Sequence, residues 1–202
     1  MKYLKFFLIY AVLATLIFII YSCSCSNCSK QEETVVPIDV LKKANAFIIS
    51  KTGEEFFDNY IAPDFVRTKY TPPYYNMTYN LRIPEKPYVN NKITFTVDSV
   101  GNIVKERDII GIPNCNAHPS QCNWNLDMEA AIDVATKYGL EKGVKDWQVD
   151  FIWNPERQIY VWHIVTVLRE IEGDYGYRGI GKDMVIDPVT GEILALNDWH
   201  TR

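Results

Sequence analysis

Three side chains near the middle of the chain have the types that hold a metal ion. Cys115, His118 and Cys122 lie within one short segment, and zinc takes sulfur and nitrogen ligands at such spacings when the fold supplies a fourth. In an oxidising compartment, two cysteines this close pair far more often with each other. The pattern therefore favours a disulfide between Cys115 and Cys122, with His118 beside it and no bound metal.

Other motifs that would indicate catalysis or a cofactor are missing or out of context. Cys25 and Cys28 have redox-pair spacing but no strand before or helix after them, and whether they pair stays open. Neither a His-Glu-x-x-His zinc motif nor a Gly-x-Ser-x-Gly nucleophile elbow occurs. The glycines between Gly176 and Gly181 predict a loop joining two strands, which is not a nucleotide-binding context. We expect a protein that is not an enzyme and has no cofactor; an unrecognised carboxylate site is the remaining catalytic alternative.

Aromatic side chains are the residues most suggestive of binding. They crowd the second half of the chain, and our candidate binding surface consists of Trp147, Trp153, Tyr160, Trp162, Tyr175 and Tyr177. Strand alternation places Trp147 with Trp153 on one face, and Tyr160 with Trp162 on one face of the next strand. If exposed, these rings would bind an extended peptide or a sugar. If buried, they form the core under a second unit, and the sequence leaves both interpretations open.

The first 22 residues predict export from the cytoplasm. Lys2 and Lys5 precede an uncharged run of 16 residues, which is the length of a secretory signal and short for a spanning helix. The run ends in Ile20-Tyr21-Ser22-Cys23, which resembles a bacterial lipobox except at Tyr21. That resemblance implies that Cys23 carries the lipid anchor (palmitate and related chains). The alternative is an uncleaved anchor helix, and both place residues 30–202 outside the cytoplasm, in the periplasm or exterior.

The residues after the signal segment predict a tether and then a folded part. Residues 23–36 are rich in Ser, Lys, Glu and Gln without apolar periodicity, as in a flexible tether. The net charge of the whole chain is −4. Without Lys2 and Lys5 it becomes −6, and an acidic surface repels phosphates, so we expect no nucleic acid partner.

In the second half the pattern predicts one helix followed by an antiparallel meander. Asp127 is in the position of an N-cap, apolar residues recur on one face up to Tyr138, and Gly139 ends the helix. Strands are predicted around Trp147–Trp153, Ile159–Leu168, Met184–Ile186 and Glu192–Leu194, and His163 is expected to be half-buried in the second. Asp187-Pro188-Val189-Thr190-Gly191 predicts the turn between the last two.

The first half repeats this order. Asp39 is the predicted cap of a helix that ends at Gly53, and Tyr74–Ile83 is a predicted strand. Residues 93–97 and 102–104 then flank a turn that begins at Asp98. The two predicted caps lie 88 residues apart and the two turn aspartates 89 apart, which suggests a duplication; chance recurrence is the alternative.

The second half resembles a PepSY domain. The resemblance rests on the helix from Asp127 to Ala135, the aromatic strand around Tyr160-Val161-Trp162, and the closing segment from Val185 to Leu194. It implies an α+β fold of tandem cystatin-like units, each one helix packed on an antiparallel sheet. The expected organisation is 1–22 signal segment, 23–36 tether, 37–112 divergent first unit, 113–125 connector and 126–202 PepSY-like unit.

These features together predict a non-catalytic binding module tethered at the cell envelope. Its expected role is to bind a peptide or envelope protein, or to inhibit or regulate a protease, by strand addition at a sheet edge. The alternative is a structural subunit of an envelope complex.

Overall fold

The computed structural model describes residues 34–173 and 176–201, and the fold is α+β. Cys23, Cys25, Cys28 and Tyr175 lie outside these described residues. The elements in chain order are α1 (Ile38–Thr52), α2 (Glu54–Tyr60), β1 (Ile61–Pro63), β2 (Lys69–Thr71), β3 (Tyr74–Ile83), β4 (Lys86–Asp98), a 3₁₀ turn (Pro119–Cys122), α3 (Met128–Tyr138), β5 (Gln148–Asn154), β6 (Ile159–Gly173), β7 (Gly176–Ile186) and β8 (Ile193–Thr201).

The first sheet is built around β3. Its partner on one side is β4, and on the other side the short strands β1 and β2 pair with its two ends, all antiparallel. Val40, Ala44 and Ile48 are spaced by four residues, so they lie on one face of α1, and all three are buried. They belong to the same apolar cluster as Met77, Tyr79 and Leu81, which alternate along β3.

Several expectations for the first half are wrong in detail. Pro37, not Asp39, is at the N-cap position of α1, and Asp39 lies in the first turn, where a carboxylate still suits the helix dipole. Residues 102–104 form only an isolated bridge, Val97 to Ile103, rather than a strand. The folded part also begins before residue 37, because the amide of Thr34 donates to the carbonyl of Phe65.

The face of the first sheet away from α1 carries a buried carboxylate, Asp64. It accepts hydrogen bonds from Arg67 at 2.9 Å and Lys92 at 3.0 Å, and it is 7% exposed. Burial acts to raise the pKa of Asp64, but the hydrogen bonds from Lys92 and Arg67 outweigh it and lower the pKa to about 2. This network fixes the β1–β2 connection on the sheet.

The second half confirms the predicted order of one helix and a meander. Its strands pair in the order β5-β6-β7-β8, all antiparallel. The Asp127 side chain caps α3 by accepting from the amide of Ala130, and Gly139 ends the helix in the left-handed conformation. Ala131 and Ala135 are fully buried, which lets α3 approach the sheet closely.

The predicted loop between Gly176 and Gly181 is wrong, because these residues belong to β7. They pair with the end of β6, where Glu170 is opposite Gly179. Gly181 pairs with Trp199 of β8, and a Cβ there would lie 1.9 Å from the carbonyl oxygen of Thr166 and 2.6 Å from the Trp199 ring. The glycine therefore makes room for an indole across the strands instead of marking a loop.

Both predicted aspartate turns are present. In the second half, the Asp187 carboxylate accepts from the amides of Val189 and Thr190. In the first half, the Asp98 carboxylate accepts from the amides of Val100 and Asn102. These Asx-type contacts explain why aspartate opens each turn.

One apolar core joins the two halves, and its centre is Trp124. This ring is 1% exposed and contacts Phe56 of the first half and both Phe151 and Tyr160 of the second. The Tyr88 hydroxyl donates to the Trp124 carbonyl at 2.6 Å. The connector is thus anchored in the core at Trp124, while residues 116–121 within it are exposed.

The predicted disulfide between Cys115 and Cys122 is confirmed. The amide of Asn116, inside the loop that it closes, donates to the carbonyl of Lys51 at the end of α1. No helix among residues 34–173 and 176–201 is long and apolar enough to span a bilayer.

Candidate binding groove

The structure buries two of the six aromatics that we predicted for a binding surface. Tyr160 and Trp162 are each 1% exposed, so the prediction that they lie on the surface is wrong. The Tyr160 hydroxyl donates to the carbonyl of Gly111, and the Trp162 indole donates to the carbonyl of Leu126. Burial in the shared core also raises the pKa of Tyr160. The alternative interpretation, in which these rings form a core covered by the first half, is the correct one for them.

The other predicted aromatics are distributed differently. Trp153 is half-buried and meets the Tyr160 ring edge-on at 5.2 Å. Tyr175 and the side chain of Tyr177 lie outside the described residues. Trp147 is half-buried and lines a surface groove of about 740 Å³. Of the predicted set, Trp147 is therefore the residue that places a candidate site on the surface.

The groove lies between α3 and the edge of the second sheet. Ile132 and Thr136 form its helical wall, on the side of α3 next to the buried Ala131 and Ala135. The other wall is the segment from Lys142 to Val149, which leads into β5. A groove of this size falls within the range of ligand-binding sites, and its lining mixes apolar side chains with Thr136, Lys142, Lys145 and Asp146.

Hydrogen bonds fix the sheet wall, which bends at Val144 and Lys145. The amide of Val144 donates to the carbonyl of Val167 at 2.7 Å, and the Trp147 indole donates to the carbonyl of Glu141 at 3.1 Å. Gly143 is required here, because a Cβ would lie 2.2 Å from the Val167 oxygen. These contacts fix the segment from Lys142 to Val149. Its Val144 side chain is 60% exposed and lies beside Trp147.

The edge of the sheet beside this groove has no strand partner. Among the described strands, β5 pairs only with β6, and β8 at the opposite edge pairs only with β7. A free edge offers backbone amides and carbonyls to a further strand. The groove therefore adjoins the free edge of β5. A peptide strand that pairs with this edge has space in the groove for one of its side chains.

Two ion pairs lie around the groove. Lys145 contacts Glu170 at 2.7 Å, and Lys182 contacts Glu141 at 2.9 Å. The hydrogen bond and the charge of Glu141 raise the pKa of Lys182. The groove thus offers its apolar groups, the backbone edge and the charged side chains of Lys142 and Asp146 for recognition.

The residues considered for catalysis or metal binding do not assemble. His163 is half-buried as predicted, with its Nε2 3.6 Å from the Asp183 carboxylate, which also accepts from Asn197. His118 is exposed beside a closed disulfide. Within the described ranges, no group of three or more His, Cys, Asp or Glu side chains is arranged to hold a metal ion.

Sequence reasoning missed the walls of the groove. No motif indicates Ile132 or the segment around Gly143 as part of a site. One signal was available, since Val144 is an apolar side chain among the charged residues Glu141, Lys142, Lys145 and Asp146. No protein-family model matches the chain, and a comparison with curated proteins finds no match either.

Proposed function

We propose that this protein is a non-catalytic module that binds an extended peptide by strand addition to β5. The observation that carries the proposal is the position of the groove, which has a helix on one side and an unpaired sheet edge on the other. In strand addition, backbone hydrogen bonds at the edge give affinity, and pockets for alternate side chains give specificity.

The groove supplies such a pocket. A peptide strand beside β5 directs every second side chain to the face that carries Val149 and Phe151. Trp147 and Val144 stand at the start of that face, so an aliphatic or aromatic side chain fits against them. Burying one such side chain contributes about 1.5–3 kcal/mol.

The PepSY-like resemblance is part of this proposal. The first half has the two helices α1 and α2 before its antiparallel sheet, and the second has α3 before its sheet. Each half contains an Asp-opened turn before its last strand or bridge. We propose that the halves are tandem cystatin-like units, 37–112 and 126–202, joined by 113–125. Binding that occupies a protease, and so inhibits or regulates it, is one use of such a module.

We also propose that Cys23 carries a lipid and that the residues between Cys23 and Thr34, where the described fold begins, form the tether to the membrane. Replacement of Cys23 by Ser should abolish incorporation of labelled palmitate and release the protein from the membrane fraction. Cys25→Ser is the matched control and should retain both. If the wild-type protein takes up no labelled palmitate and still stays in the membrane fraction, the uncleaved anchor helix is correct.

Peptide binding is tested by selection from a random hexapeptide library against the purified full-length protein. We expect enrichment of an apolar residue at one position, and loss of binding when alternate backbone amides of a selected peptide are N-methylated. Trp147→Ala should weaken binding about tenfold, whereas Tyr138→Ala, an exposed aromatic on α3 outside the groove, should not. Equal binding by both variants, or insensitivity to N-methylation, would exclude strand addition at β5.

A structural role in an envelope complex is the second candidate, and the far end of β6 and β7 favours it. Beyond the end of β5, one face of β6 and β7 carries Arg169, Ile171, Arg178 and Ile180, of which Ile180 is opposite His200 of β8. Ile171 is 64% exposed and Ile180 is 39% exposed. A stoichiometric partner in native mass measurements that is lost in Ile171→Asp would support this role over peptide binding.

A further inference from the structure

A second groove lies in the first half, far along the chain from Trp147. It has a volume of about 590 Å³ and is bounded by the α1–α2 corner, the β3–β4 turn and the disulfide loop. None of its lining residues belongs to the Trp147 groove. Whatever binds here is therefore independent of the peptide site on β5.

The floor of this groove is aromatic and apolar. Phe56 and Tyr60 meet edge-on with ring centroids 5.1 Å apart, and Ile83 closes the floor at 6% exposure. One wall is the Cys115–Cys122 disulfide. The hydrogen bond from the Asn116 amide to the end of α1 fixes that wall against the first half.

The rim of the groove has net negative charge. Glu54, Glu55 and Glu85 are exposed, and none of the three is in an ion pair within the part of the chain that the structure describes. Glu54 and Glu55 lie in the first turn of α2, where the helix dipole favours a carboxylate. The cation beside them, Lys86, donates to the carbonyl of Asn123 at 3.0 Å, and burial lowers its pKa. The mouth thus carries three carboxylates and one ammonium group above two rings.

We propose that this groove binds a cationic side chain, lysine or arginine, of a partner polypeptide. The aliphatic stem packs on Phe56 and Tyr60 while the charged head reaches the rim carboxylates. The ring faces add attraction for the cation, which is larger where water is displaced. The acidic balance of the exported residues adds long-range attraction for a basic partner.

The probe for this site is acetyl-Gly-Arg-Gly-amide, with the citrulline peptide as its neutral isostere. Backbone amide shifts of the full-length protein in detergent micelles are followed by nuclear magnetic resonance during titration. We expect the arginine peptide to shift signals of residues 53–60, 85–86 and 115–123, and to bind at least fivefold more tightly than the citrulline peptide. Equal affinity for the two peptides would make this a purely apolar docking site and overturn the proposal.

Variants then separate charge from shape. Removing the three rim charges with Glu54→Gln, Glu55→Gln and Glu85→Gln should weaken arginine binding about tenfold, as three exposed ion pairs imply. The matched control is Glu106→Gln, Glu129→Gln and Glu156→Gln, which removes three exposed carboxylates elsewhere and should leave affinity within twofold. Similar losses in both triple variants would show that net charge, and not this groove, attracts the peptide.

The ring contribution is measured with Phe56→Leu, which keeps an apolar floor and removes the π face. We expect about threefold weaker binding of the arginine peptide and no change for the citrulline peptide. Peptides selected on β5 report separately on the other groove. If they bind normally while arginine binding fails, this proposal is wrong and the proposed function stands.

Discussion

Trp124 gives the sharpest test of the claim that both halves share one core. Its ring is 1% exposed and lies between Phe56 on one side and Phe151 and Tyr160 on the other, at centroid distances of 6.2, 5.5 and 5.2 Å. Trp124→Ala removes these contacts and leaves a cavity, which costs about 3–5 kcal/mol. That is a large share of the roughly 5–15 kcal/mol by which whole domains are stable.

The assay is equilibrium unfolding in urea, followed by both far-ultraviolet circular dichroism and tryptophan fluorescence. With one shared core, Trp124→Ala should move a single transition to lower urea, and both probes should agree. Trp147→Ala is the control of the same residue type; its ring is half-buried, so we expect a loss below about 1.5 kcal/mol.

Two results would refute the reasoning. A loss below about 1 kcal/mol for Trp124→Ala would mean that the ring is not packed as described. Two separate transitions, of which the variant moves only one, would mean that the halves have independent cores. Tyr88→Phe refines the test, because it leaves the Trp124 carbonyl without its donor and should cost about 1 kcal/mol.

Three further changes should alter stability in known directions. Replacing both Cys115 and Cys122 by Ser opens a short loop and should lower the unfolding free energy by about 2–3 kcal/mol, measured in urea without reductant. Asp64 has a folded pKa of about 2, below its ordinary 3.8, because hydrogen bonds led by Lys92 outweigh burial. Its contribution of about 1 kcal/mol, discounted for the partly exposed cations, is present above pH 4 and is lost as pH falls toward 2; Asp64→Asn should remove this slope from acid unfolding. Asp127→Ala removes the cap of α3 and should cost about 1 kcal/mol in thermal unfolding, whereas an unchanged midpoint would contradict the capping role.

Local signals in the sequence predicted the regular parts of the fold well. The cap at Asp127, the end of α3 at Gly139 and the turn at Asp187 each depend on one side chain or one left-handed residue, so the sequence specifies them directly. The span of β3, Tyr74–Ile83, also followed from alternation.

Features that depend on distant packing could not be predicted in this way. Alternation places Tyr160 and Trp162 on one face, but it does not say that Trp124 and the first half cover that face. Glycines indicate loops in general, yet Gly181 lies in a strand because the Trp199 ring, 18 residues later, occupies the space above it. The groove at Trp147 likewise needs the position of α3 relative to the sheet edge, which no local pattern encodes.

The last strand has a consequence for concentrated solutions of this protein. β8 runs for nine residues, Ile193–Thr201, with neither lysine nor proline to discourage pairing, and Leu196 on it is 41% exposed. Two molecules related by a two-fold axis can align these strands antiparallel, which would merge two four-stranded sheets into a continuous eight-stranded one. Such pairing is favoured by mass action, so the fraction of paired molecules should rise with protein concentration.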